Sequence, residues 1–220
     1  DARLAMEALL AEAKARVAPR QPTGRVARIP QDRVALARRT DYDDVPIKPQ
    51  RVYHEMNAIF GENTIYTTGC GLTQIWSGQF QMTDAPRTYL ASGGAGTLGY
   101  DLPAAIGAKI ARPESTAVAV MGDGGFMFMV EELAMACQNQ RYAYEYEYGV
   151  DLTYDGLGVD IPALARAFGA YAERVTEPGE IRPALVRAVA SGKPAVVDII
   201  VEREADASMG ASIDAVREFV

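Results

Sequence analysis

What most constrains this chain is an alternation between residues 50 and 201, where short runs of branched and apolar residues take turns with stretches of helical periodicity. Val52, Met56, Ile59 and Phe60 fall at helical spacing, and the run 64–68 reads as a strand. The same reading predicts helices over 73–80, 102–110, 129–137, 161–168 and 181–190, and strands over 88–91, 116–121, 171–175 and 195–201. Strands separated by helices are expected to run parallel, because each helical crossover returns the chain to the same edge of the sheet. The expected fold class is therefore α/β, a doubly wound parallel sheet with helices on both faces.

The alternation does not reach the first 45 residues. Within 1–18, Leu4, Ala8, Ala11 and Ala15, flanked by Leu9 and Leu10, predict an amphipathic helix that needs a surface to pack on. Residues 19–45 carry Pro19, Pro22, Gly24 and Pro30 among Arg20, Arg25, Arg28, Arg33, Arg38 and Arg39, the composition of a solvated linker. The sheet domain is expected over 46–220. Inside it, Tyr142, Tyr144, Tyr146 and Tyr148 alternate with small or acidic residues, the pattern of a half-exposed strand. A buried apolar strand is expected there instead, directly after the helix 129–137.

Charge and cysteine usage exclude several classes. A net charge of -7 and a pI near 4.9 oppose nucleic-acid binding, which calls for a basic face. Cys70 and Cys137 form no C-x-x-C pair and have no histidine-rich companion, so neither a zinc site nor a disulfide framework is indicated, and a reducing cytoplasm fits. No apolar run approaches the ~20 residues of a membrane span, and no signal pattern opens the chain. A soluble, cytoplasmic protein is expected.

Ligands of open parallel sheets bind at the carboxyl ends of the strands. Two glycine-rich turns fall at such places, Ser92-Gly93-Gly94-Ala95-Gly96-Thr97-Leu98-Gly99 after the strand 88–91 and Gly122-Asp123-Gly124-Gly125 after the strand 116–121. Glycines there let backbone N–H groups approach a phosphate, and the following helix adds the positive end of its dipole. Asp123 would repel a bare diphosphate, so a divalent cation must stand between them, and magnesium commonly combines carboxylate with phosphate oxygens. Read alone, the turn has a second meaning, a tight turn capped by Asp123. The glycine spacing fits neither a dinucleotide fingerprint nor a P-loop. His54, the single histidine, sits in a predicted helix beside Arg51 and Glu55, a packing or surface position. With no nucleophile elbow and no H-E-x-x-H, demanding chemistry would have to come from a cofactor.

These two turns, with the helix Leu102-Pro103-Ala104-Ala105-Ile106-Gly107-Ala108, resemble the acetohydroxyacid synthase family of thiamine-diphosphate enzymes. Asp44-Val45-Pro46-Ile47-Lys48-Pro49-Gln50-Arg51-Val52-Tyr53, Gly71-Leu72-Thr73-Gln74-Ile75 and Ala207-Ser208-Met209-Gly210 are similar to its glyoxylate-condensing branch. The resemblance implies thiamine diphosphate and magnesium as cofactors, FAD in a preceding middle domain, and condensation of two glyoxylate molecules to tartronate semialdehyde with loss of CO2. It implies Asp123 as magnesium ligand, with Gly122, Gly124 and Gly125 around the diphosphate and Gly71, Leu72 and Thr73 lining that side. Gly96 and Thr97 would lie beside the aminopyrimidine ring, and Leu98 would be the apolar residue over which the cofactor bends. Taken without the family, Leu98 reads as a core leucine and Thr73 as a helix N-cap. Residues 1–18 would be the last helix of the middle domain.

The family pattern also implies partners that lie outside these residues. The active site of relatives forms against the pyrimidine-binding domain of a neighbouring subunit, in a homodimer or homotetramer, so a small 2-oxo acid would be turned over only in that assembly. No catalytic residue is assigned within this chain. The paired asparagine that completes the metal shell in relatives falls here on Gly149 and Val150, and a family segment is expected to be absent near 139–141. An acetohydroxyacid synthase, the diphosphate-binding subunit of a 2-oxo acid decarboxylase, and a non-catalytic remnant remain the alternatives.

Overall fold

The computed structural model of the chain describes residues 1–18, 21, 23–83, 85–138 and 159–202, and it divides into two compact units, Asp1–Arg38 and Arg39–Val220. In the first unit, Asp1 caps α1 (Ala2–Arg16) by accepting the N–H of Arg3 at 2.8 Å. Leu4, Met6, Leu9 and Leu10 of this helix are all exposed, so its apolar face has no partner among the described residues of the unit. A second helix, α2 (Gly24–Ala35), forms inside the stretch whose composition reads as linker. Thr23 caps it by accepting the N–H of Val26, and Arg28 pairs with Asp32 one turn later. Pro30 lies within α2 and is the residue that hides it in the sequence, since proline ordinarily breaks a helix interior.

The second unit carries the alternation. Its helices are α3 (Pro49–Ile59), α4 (Leu72–Phe80), α5 (Asp101–Ala111), α6 (Asp123–Phe128), α7 (Glu132–Gln138), α8 (Ile161–Ala167) and α9 (Ile181–Ala190). Its strands are β1 (Thr64–Thr68), β2 (Tyr89–Ala91), β3 (Thr116–Val120), β4 (Tyr171–Val175) and β5 (Ala195–Ile199). All pairings among the described residues are parallel, as expected, in a three-stranded sheet of order β2-β1-β3 and a two-stranded sheet β4-β5. The helix expected over 129–137 starts later, as α7, and a separate short helix, α6, forms directly on the glycine turn, with a break at residues 129–131 between them.

Alternating side chains of the strands feed two cores. Val118, Val120, Val175, Val197 and Ile199 face Tyr53, Met56, Trp76, Phe80, Ile181 and Leu185 of α3, α4 and α9. Ala172 and Val196 face the other way, toward Phe126, Leu133, Leu164 and Ala165 of α6, α7 and α8. Helices therefore cover both faces. Strand β1 is buried along its whole length, which is why it reads as a run of branched and aromatic residues without a polar face. Among the described residues no helix is long and apolar enough to cross a membrane. The tyrosine-rich stretch 141–154, Gly149, Val150 and Ser208-Met209-Gly210 lie outside the described residues.

This topology has a switch point between β1 and β3. β1 is central, and the helix that follows it, α4, packs in the first core, whereas α6, which follows its neighbour β3, packs in the second. Adjacent strands whose helices leave toward opposite faces open a cleft at their carboxyl ends, the usual ligand site of such sheets.

Candidate functional site

Register brings the turns together. Thr68, the last residue of β1, is level with Ala91 of β2 and Val120 of β3, so the segments 69–73, 92–99 and 121–125 all start at the same edge. The Ser92 N–H donates to the Thr68 carbonyl at 3.1 Å, and the Ser92 hydroxyl accepts the Thr97 N–H at 2.7 Å, which folds the glycine loop back on itself. Gly99 closes that loop at φ 81, and a Cβ there would overlap the Met129 side chain just beyond α6. Only glycine meets both conditions.

Gly71 is the N-cap of α4 at φ 114, with Leu72 and Thr73 in the helix's first turn. Thr73 is thus not the cap that its hydroxyl suggests, because the left-handed backbone at Gly71 starts the helix without a side-chain bond. The Thr73 carbonyl instead accepts the hydroxyl of the buried Tyr53 at 3.0 Å, which fixes this turn against α3. Leu98 is 39% exposed and is not a core leucine; it stands with Gly96 and Thr97 on the open side of the glycine loop. Leu72 and Ile75 are exposed at this end as well.

Gly122 is the N-cap of α6, and Asp123 is its first residue. The Asp123 carboxylate is exposed and makes no side-chain capping bond, so the capped-turn reading of this motif is not what the structure shows. The first helical bond runs from Phe126 N–H to the Gly122 carbonyl, leaving the preceding amides without a helical acceptor. Around Gly122 and Gly124 a Cβ would meet nothing within 4 Å, so the space above the turn is open.

Beneath these turns lies a group that the sequence reading does not single out. Asp101, the first residue of α5, is 1% exposed. Its Oδ1 accepts the N–H of Gly69, its carbonyl accepts the hydroxyl of the fully buried Thr67 at 2.7 Å, and its Oδ2 has no partner. Burial pushes the Asp101 carboxyl above the usual range, against the lowering effect of the backbone N–H bonds. In sequence Asp101 passes for an ordinary acidic residue in a helix's first turn, and only the fold reveals its burial. His54 lies on α3, with Nδ1 3.1 Å from the Thr40 hydroxyl, in keeping with a packing role.

As a metal site the arrangement supplies one hard oxygen ligand. No group of three or more histidine, cysteine, aspartate or glutamate side chains gathers among the described residues. A magnesium ion held by Asp123 would take its remaining ligands from phosphate, backbone and water, which suits that ion. The open glycine turn would leave room for phosphates.

Comparison with known proteins agrees with this geometry. The family described as thiamine pyrophosphate enzyme, C-terminal TPP binding domain, matches residues 69–144 and 138–199. The chain is 37% identical to a glyoxylate carboligase of Escherichia coli O157:H7 over 88% of this chain and 38% of that protein. It is 35% identical to a probable acetolactate synthase large subunit of Methanococcus aeolicus, over 81% of this chain and 35% of that protein. An acetolactate synthase large subunit of Corynebacterium glutamicum is 34% identical over 74% of this chain and 30% of that protein. The chain thus spans little more than a third of the length of the first two of these curated relatives. With its three turns inside the matched residues, the chain belongs to the thiamine pyrophosphate enzyme family and carries that family's C-terminal TPP binding domain.

Proposed function

We propose that the protein is a thiamine-diphosphate- and magnesium-dependent carboligase that condenses two glyoxylate molecules to tartronate semialdehyde and releases CO2. The observation that carries the cofactor part is the exposed, uncapped Asp123 at the mouth of the β1–β3 crevice. The relative matched over 88% of this chain supports the substrate part. Asp123 holds the magnesium ion, and Gly122, Gly124 and Gly125 admit the diphosphate, whose other side is lined by Gly71, Leu72 and Thr73. Gly96 and Thr97 flank the aminopyrimidine, and Leu98 offers an apolar platform that its exposure supports. Thiamine diphosphate supplies, when bound, the nucleophilic carbon and the electron sink for decarboxylation and carbon–carbon bond formation. This chain's residues bind, orient and bury it; FAD belongs to a middle domain, and the pyrimidine-binding domain of a neighbouring subunit completes the site in a homodimer or homotetramer.

The family match falls in two stretches that meet at 138–144, which supports a family segment being absent near 139–141. An acetolactate synthase acting on pyruvate is the second reading, favoured by relatives of almost equal identity. Product analysis of the full-length protein with glyoxylate and with pyruvate separates the two. Calorimetry tests the cofactor site: Asp123→Ala abolishes magnesium-dependent thiamine-diphosphate binding, and unchanged affinity would overturn the assignment.

A further inference from the structure

We propose that Asp101 is a positioning residue that couples the turn after β1 to the turn after β3, so that the two halves of the crevice adopt the ligand-binding geometry together. The inference rests on the cofactor reading above and deepens it.

The geometry starts from two glycines that approach one oxygen. A Cβ built on Gly69 would lie 2.6 Å from Asp101 Oδ2, and one built on Gly125 would lie 3.3 Å from the same atom. Gly69 follows β1 directly, and Gly125 is two residues past Asp123 in the opening turn of α6. Oδ2 is thus wedged between the two turns, where any side chain on Gly69 would collide with it. The opposite oxygen, Oδ1, is held by the Gly69 N–H, and the backbone of Asp101 is pinned by the Thr67 hydroxyl at the end of β1. The carboxyl can therefore hardly move without moving the segment that leads into Gly71, Leu72 and Thr73.

Stability alone does not account for this arrangement. A buried carboxylate oxygen without a donor costs free energy, and small apolar side chains would fill the space more favourably. Its place between Gly69 and Gly125, two residues from the exposed Asp123, fits a group that aligns the two turns. Oδ2 blocks the β1 turn from collapsing onto α6, and Oδ1 stops it from drifting away. A diphosphate held by residues of both turns would need them at a fixed separation.

A double-mutant cycle on the full-length protein tests this, using Gly69→Ala, Asp101→Ala, the pair combined, and Asp101→Asn, with thiamine diphosphate and magnesium titrated by calorimetry. Asp101→Ala is expected to weaken cofactor affinity about tenfold, the order for losing a hydrogen bond to a charged group. Gly69→Ala in the wild-type background weakens it at least as much, whereas on top of Asp101→Ala it adds little, because the colliding carboxyl is gone. Asp101→Asn keeps the volume and a carbonyl oxygen for the Gly69 N–H and restores most of the affinity. A merely structural role would lower the melting temperature without this pattern in affinity. Equal effects of Gly69→Ala in both backgrounds, or wild-type affinity in Asp101→Ala, would overturn the inference. Should Asp101→Ala not fold, wild-type affinity in Gly69→Ala overturns it by itself. If the wild-type protein binds no thiamine diphosphate, the cofactor reading falls and this inference with it; binding by the wild type with Asp101→Ala unchanged sinks the inference alone.

Discussion

Two buried carboxylates sit in different parts of this domain and are treated oppositely. Glu55 on α3 is 3% exposed, and both its oxygens are paired, Oε1 with Arg51 Nε at 2.8 Å and Oε2 with Arg182 Nε of α9 at 2.6 Å. Burial pushes its pKa up, but the guanidinium groups of Arg182 and Arg51 more than offset this and hold it below the usual range. Asp101 has one backbone N–H and an orphaned oxygen, and its pKa moves the other way. In the helix layer on one face the buried carboxylate is fully paired. At the carboxyl ends of β1 and β3 the buried carboxylate is left half paired, between the turns to which the cofactor reading assigns the ligand.

The contrast predicts that stability and cofactor affinity can be altered separately. The largest stability effect is expected for Ile181→Ala, which empties a fully buried position of the first core: about 3 kcal/mol in urea denaturation, with cofactor affinity within about twofold of wild type. Next comes Glu55→Gln, which leaves two guanidinium groups facing a neutral amide and costs about 2 kcal/mol at neutral pH. The folded pKa of Glu55 lies below its unfolded value of about 4.3, so its contribution is present above that pH and is lost as pH falls through the folded value. An acid titration of stability should therefore be shallower in Glu55→Gln than in wild type below about pH 4. Smallest is Leu98→Ala, worth less than about 0.5 kcal/mol in stability because the side chain is already exposed. The same variant should lose about tenfold in cofactor affinity or turnover, and a large loss of stability with unchanged affinity would reverse its assignment to the crevice.

Most of the fold was legible because local signals and burial agree. The run 64–68 is branched, aromatic and bounded by turn residues, and it is β1 to the residue. The glycine turns were legible for the same reason, since a strand end, a glycine and a helix start coincide at Gly122 and Asp123. Other features depend on tertiary position. Asp101 resembles any acidic residue at a helix start until Thr67 and Gly69 at the end of β1 and Gly125 of α6 close around it. Gly69 looks like a loop glycine until the Asp101 carboxyl fills the place of its side chain. Pro30 pointed to a break where α2 forms, because a capped helix with an internal ion pair tolerates it. Thr73 has the chemistry of a cap, yet the backbone at Gly71 takes that place.

One contact has a bearing on how the domain is made. The fully buried Ile47 forms a parallel bridge with Val201, the Glu202 N–H donates to the Ile47 carbonyl at 2.9 Å, and Lys48 pairs with Glu202 across 154 positions of chain. Synthesis runs from the amino end, so the β1–β3 sheet and its turns leave the ribosome long before the partner of Ile47 exists. Until Val201 and Glu202 are made, Ile47 has no strand to bridge and Lys48 no carboxylate to pair with, so this edge of the domain can close only at the end of synthesis.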